Sequence, residues 1–186
     1  MRIFISGGSK NGKSYCAECL AKAQRLDCLY YVATMKPVDS EDAERIKRHR
    51  MERFGQGWTT IEAPADIESI LRICDRSGSF LLDSLTALLA NEMFPPDGGV
   101  NEQAALKITK GLSSLIDGIE NIVIVSDYIY SDAIIYDRLT EGYRKALALI
   151  DREAARLSDA VLEAAYANII VHKGREAFDA VYRKIR

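Results

Sequence analysis

Apolar residues fall along this chain in short continuous runs separated by longer segments of helical spacing. The runs predict strands at Arg2–Ser6, Cys28–Thr34, Trp58–Glu62, Ser79–Asp83, Asn121–Ser126 and Asn168–His172. Their centres, such as Leu29-Tyr30-Tyr31-Val32, Phe80-Leu81-Leu82, Ile122-Val123-Ile124-Val125 and Ile169-Ile170-Val171, do not alternate with polar residues, as expected of strands covered on both faces. Between them lie helical segments. Tyr15–Gln24 has a helical composition, and Tyr136–Glu163 carries Leu139, Tyr143, Ala146, Ile150, Ala154, Leu157 and Val161 at steps of three and four. That stripe predicts one long helix packed on the sheet or on a partner subunit. Strand and helix signals alternate, which predicts an α/β fold with a mostly parallel sheet and helices on both faces. Residues 94–99, Phe-Pro-Pro-Asp-Gly-Gly, read as a turn, and no internal repeat appears, so residues 1–186 are expected to form one domain.

The first strand runs directly into Gly7-Gly8-Ser9-Lys10-Asn11-Gly12-Lys13-Ser14, which satisfies G-x-x-x-x-G-K-[ST] between a strand and a helix. In that setting the glycines let successive backbone N–H groups turn toward phosphate oxygens, and the following helix N-terminus faces the same anion. Lys13 would reach the β- and γ-phosphates and the Ser14 hydroxyl would ligate Mg²⁺. A Gly-rich turn is the bland alternative. The pattern makes the expected fold a P-loop NTPase-like, RecA-like one.

In an open parallel sheet a ligand lies beyond the carboxyl ends of the strands. The residues there are Thr34, Glu62, Asp83, Asp127 and His172. Asp83 ends an apolar strand and is the candidate second Mg²⁺ contact. Asp127 is its rival for the metal, or a base for a substrate hydroxyl.

Composition changes this picture little. Nearly half of the residues are apolar, 28% are charged, and the formal charge is −2, so no general attraction to nucleic acid or an anionic membrane is expected. No apolar run is long enough for a membrane span and no leader pattern precedes the first strand, which makes the cytoplasm the expected compartment. Cys16, Cys19, Cys28 and Cys74 are expected to be reduced structural thiols. Residues 44–53 form a basic helical segment. It puts Arg45, His49 and Arg53 on one face, where they could meet a phosphate, although a solvated face is the usual meaning of such a run. Neighbouring cations favour the neutral, nucleophilic imidazole of His49. His172 is expected to be structural or an edge contact.

With these residues assembled, the chain resembles the bifunctional adenosylcobinamide kinase / adenosylcobinamide-phosphate guanylyltransferase family. The resemblance rests on the phosphate loop, Tyr31-Val32-Ala33-Thr34, Arg45-Ile46-x-x-His49 followed by Arg53, Trp58-x-Thr60-x-Glu62, Leu81-Leu82-Asp83-Ser84-Leu85-Thr86 with Asn91, Arg138-Leu139 and Asp159-x-Val161. It implies phosphorylation of the aminopropanol hydroxyl of adenosylcobinamide by ATP or GTP. Transfer of GMP from GTP to the resulting phosphate would follow, through a guanylyl-histidine at His49. It also implies use of Mg²⁺, a corrinoid substrate and a homo-oligomer. Lys13 and His49 are then expected to act in catalysis with Asp83 and Asp127, and Thr34, Arg45, Arg53 and Glu62 to join the phosphate loop around the nucleotide.

The chain departs from the family pattern after the fifth strand. There the family's Asn-Glu-Val-Gly-x-Gly-Ile-Val-Pro is replaced by residues 127–135, Asp-Tyr-Ile-Tyr-Ser-Asp-Ala-Ile-Ile. Losing two glycines and gaining two tyrosines predicts a different loop. Asp83 stands where the family usually has glutamate, and Phe54 where it has proline. These changes leave open a divergent P-loop kinase with another alcohol substrate, or a non-catalytic nucleotide-binding module that controls assembly. Nucleic-acid binding through the basic helix is the weakest contender.

Overall fold

The computed structural model describes residues 1–186 except 25, 26, 38, 131, 167 and 186, and except the side chains of residues 41–43, 45, 49 and 52. Its strands are β1 (Arg2–Gly7), β2 (Leu29–Ala33), β3 (Trp58–Glu62), β4 (Ser79–Asp83), β5 (Asn121–Asp127), β6 (Ala160–Ala165) and β7 (Asn168–Lys173). The helices are α1 (Lys13–Ala23), α2 (Ser40–Arg53), α3 (Leu85–Met93), α4 (Ala104–Gly118), α5 (Arg138–Leu157) and α6 (Arg175–Tyr182), with a 3-10 helix at Ile67–Arg72. The described strands form one seven-stranded sheet in the order β3-β2-β4-β5-β1-β6-β7. All neighbouring pairs are parallel except β6 and β7.

Both faces of the sheet are covered, as the unbroken apolar runs require. On one face Phe4, Val32, Phe80, Leu82, Ile122 and Ile124 pack against α3, α4, α5 and the 3-10 helix. On the other, Ile3, Ile5, Leu81, Val123 and Val125 meet α1 and α6. Helix starts follow local chemistry: the Ser84 hydroxyl accepts from Ala87 N at the start of α3, and the Asp137 carboxylate accepts from Leu139 N and Thr140 N at the start of α5.

Three sequence expectations need correction. The long helix does not run to Glu163. It stops at Leu157, where the Ser158 hydroxyl bonds back to Ala154 O, and the next residues form β6, which pairs with β1 inside the sheet. Val161 is therefore a strand residue. The stripe of α5 packs on the core as expected through Tyr143, Ala146, Ile150, Ala154 and Leu157 and is widened by Arg144, Leu147 and Asp151, but Leu139 is exposed. Finally, β7 is an antiparallel edge strand, with Ile170 half exposed, so its apolar run is not covered on both sides. The reversal also sends His172 to the opposite end of the sheet from Asp83 and Asp127. There the imidazole pairs with Glu163 at 2.8 Å, an edge contact.

Candidate nucleotide site

The phosphate loop occupies the turn from β1 into α1, next to the tip of β5. Gly12 has a φ of +88°, in the left-handed region, and a side chain at Gly7 would overlap Ala164 O and the Asn11 amide. That crowding comes from a fastening: the Asn11 side-chain amide donates to Ala164 O of β6. Gly8, Ser9, Lys10 and Gly12 remain exposed. A loop pinned at one edge and open at the other fits an anion cradle better than a packed turn.

Beyond the strand tips lies a cleft of about 600 Å³. Lys13, Ser14, Asp83 and Asp127 all line it, together with Tyr31, Arg50, Arg53, Glu62, Thr86 and Tyr143. Register explains the convergence. Asp127 lies opposite Gly7 and Asp83 opposite Val125, so the two carboxylates sit on neighbouring strands and share a sheet face, two residues apart along β5. Lys13 is almost wholly buried; its ammonium lies 2.5 Å from Asp127 Oδ1 and donates to Gly8 O at 3.1 Å.

Asp83 is held from behind at its carboxylate and Asp127 at its main chain. The Tyr31 hydroxyl donates to Asp83 Oδ2 at 2.7 Å. Burial, and after it the negative charge of Asp83, pushes the Tyr31 phenol well above its usual range, so it remains a donor. The Arg53 guanidinium lies 3.5 Å from the centre of the Tyr31 ring, and its buried Nε has no hydrogen-bond partner among the described residues. Asp127 N donates to Thr86 Oγ1 at 2.9 Å, and the Tyr143 hydroxyl donates to Thr86 O at 2.8 Å.

Thr34 has a different place from the one expected. It is fully buried, its hydroxyl donates to Ser84 O and accepts from Ser84 N, and its carbonyl accepts from Asn91 Nδ2. Thr34 therefore braces the turn after β4 from beneath the cleft. Glu62 lines the cleft and pairs with Arg50 of α2. The backbone of α2 carries Arg45 and His49, but the side chains of both lie outside the described residues. Tyr31, Thr86 and Tyr143 were missed as site residues by sequence reasoning. Tyr31 and Thr86 stand in the motifs of the resemblance without a role of their own, and their positions beside Asp83 and Asp127 in the fold supply one.

The residues present suit a magnesium nucleotide. The Ser14 hydroxyl and the Asp83 carboxylate are hard oxygen donors in the same cleft as the loop lysine. The Cys16-x-x-Cys19 pair does not face this chemistry. Burial, with a smaller effect of Cys19, raises the Cys16 thiol to about 11, and none of the four cysteines is in a disulfide.

Behind β5, Asp151 of α5 is 2% exposed and accepts from the Tyr130 hydroxyl at 3.0 Å. Burial raises its carboxyl to about 7; the hydroxyls of Ser126 and Tyr130 oppose the rise and the charge of Asp127 adds to it. The folded protein therefore holds a proton that the unfolded chain releases near pH 4, so this group lowers stability progressively from about pH 4 to about pH 7, and by a constant amount above. Asp151→Asn is expected to remove up to ~1.4 kcal/mol per pH unit of that slope. Urea denaturation of both proteins from pH 5 to pH 8 checks this, the variant gaining relative stability toward pH 7.

A sequence profile of the cobinamide kinase / cobinamide phosphate guanyltransferase family matches residues 3–167. The chain belongs to that family. Among its relatives, the bifunctional adenosylcobalamin biosynthesis protein CobP of Pseudomonas aeruginosa is 39% identical over 98 residues, which are 52% of this chain and 56% of that protein. The corresponding protein CobU of Escherichia coli is 24% identical over 172 residues, 87% of this chain and 93% of its own length. Among solved structures, a KaiC-like protein from Pyrococcus horikoshii superposes with a TM-score of 0.50 at 12% identity, covering 94% of this chain and 79% of that one. That likeness concerns the fold alone and agrees with a P-loop NTPase-like architecture. Among the described residues, no helix is long and apolar enough to cross a membrane.

Proposed function

We propose that this member of the cobinamide kinase family carries out both reactions of the resemblance: phosphorylation of the aminopropanol hydroxyl of adenosylcobinamide by ATP or GTP, then GMP transfer from GTP to the new phosphate. The observation that carries the reading is the meeting of Lys13, Ser14, Asp83 and Asp127 in one cleft over a phosphate loop. In this reading the backbone from Gly7 to Gly12, including Ser9, Lys10 and Asn11, receives the triphosphate and Lys13 neutralises it. Ser14 and Asp83 hold Mg²⁺, which supplies charge neutralisation between the phosphates. Asp127 accepts the proton of the acceptor hydroxyl. Arg53, with Arg45 of the same helix, balances charge on the α-phosphate side, and Glu62 lines the nucleotide.

In the second reaction an imidazole nitrogen of His49 attacks the α-phosphorus of GTP; a P–N bond forms as the P–O bond to pyrophosphate breaks. An oxygen of cobinamide phosphate then attacks the same phosphorus, and the P–N bond breaks to free the imidazole. Cytoplasmic location and self-association complete the proposal. Self-association is supported by exposed Ile134 and Ile135 and by a second cleft of about 440 Å³ lined by Leu139, Met93, Val100 and Ala146.

Incubation with GTP labelled in the α-phosphate is expected to leave an acid-labile, alkali-stable label that cobinamide phosphate removes. Absence of label with cobinamide phosphorylation intact would remove the guanylyl half. The rewritten segment after β5 favours one second reading, a kinase for another alcohol. This segment is anchored by Arg144 to Asp132 at 2.9 Å and by Tyr130 to Asp151. Nucleotide binding without turnover of cobinamide or related corrinoids would select that reading.

A further inference from the structure

The ion pair between Lys13 and Asp127 places an obstacle in the cradle. A triphosphate must take the Lys13 ammonium away from the carboxylate that now neutralises it. The Asp127 side chain, 30% exposed, springs from a fixed main chain at the mouth of the cradle: its own N–H is bonded to Thr86, and the next residue, Tyr128, donates its N–H to Gly7 O at 3.0 Å. Once deprived of Lys13, Asp127 faces the incoming phosphates beside a second carboxylate, Asp83. Of the other described cations lining the cleft, Arg50 pairs with Glu62, Arg53 stacks on Tyr31, and Lys36 stands on the exposed segment after β2. At the cradle itself Asp127 and Asp83 stand on neighbouring strand tips beside Lys13, a local balance that disfavours a free triphosphate relative to one whose charge a divalent cation has already reduced.

We propose that Asp127 is a specificity-determining residue that makes nucleotide binding conditional on a divalent cation, by occupying Lys13 in the free protein and repelling metal-free nucleoside triphosphate. The inference rests on the phosphate-loop reading above and concerns binding rather than turnover. It is tested by calorimetric titration of ATP and GTP into the wild type, Asp127→Asn and Asp127→Glu, each in excess Mg²⁺ and in EDTA. The ratio of the two dissociation constants is expected to shrink by about tenfold or more in Asp127→Asn, chiefly through tighter binding in EDTA, and to stay near the wild-type ratio in Asp127→Glu. An unchanged ratio in Asp127→Asn, or weaker binding in EDTA, would overturn the inference. Asp127→Ser replaces the Asn variant in the same comparison if the latter melts early. Wild-type protein that binds neither nucleotide with Mg²⁺ present would instead defeat the phosphate-loop reading itself.

Discussion

Lys13→Ala is expected to lower kcat/KM for nucleotide-dependent phosphorylation of cobinamide by about a thousandfold or more, corresponding to ~4 kcal/mol of lost transition-state stabilisation. Two effects combine. The variant loses charge-assisted bonds to the triphosphate, made by a lysine that is 7% exposed and so poorly replaced by water. It also leaves the Asp127 carboxylate alone beside the phosphates, adding repulsion where attraction stood. Stability should suffer far less, by about 1 kcal/mol, because Asp127 keeps access to solvent. Steady-state kinetics with a parallel melting curve check this. A variant with near wild-type kcat/KM would exclude Lys13 from phosphate binding.

His49→Ala should separate the two reactions. Guanylylated enzyme is expected to vanish and GMP transfer to fall by at least about a thousandfold, since a covalent route has no substitute nucleophile. Phosphorylation of cobinamide should stay within about a few-fold of wild type, because that step draws on Lys13, Ser14 and the strand-tip carboxylates. Label incorporation from α-labelled GTP and a separate assay of cobinamide phosphate formation provide the two readouts. Persistent labelling in the variant would remove His49 from the nucleophile role. Equal loss of both activities would mean that α2 shapes the cleft as a whole.

Much of this organisation is legible in the amino-acid order, because the strands are buried and the phosphate loop is contiguous. Trp58–Glu62 and Ser79–Asp83 are read with their exact limits, and the other four expected strands lie within a residue at either end. β6 escapes because Ala160-Val161-Leu162 continues the three-and-four spacing of α5. Only the termination at Ser158, a tertiary and capping matter, distinguishes strand from helix there. The site follows the same division. Asp83 and Asp127 stand out as acids ending apolar runs. Their relation to Lys13 depends on β5 lying between β4 and β1, which no local pattern encodes. Tyr31 looks like a core aromatic until β2 is seen beside β4, where its hydroxyl reaches Asp83.

The amide of Asn11, hung on the carbonyl of Ala164, ties the anion-binding turn to a hairpin formed near the other end of the polypeptide. The nucleotide seat is thus completed only after that late-synthesised hairpin has docked against β1. Until then the early βα unit has its glycines and its lysine but lacks an abutment.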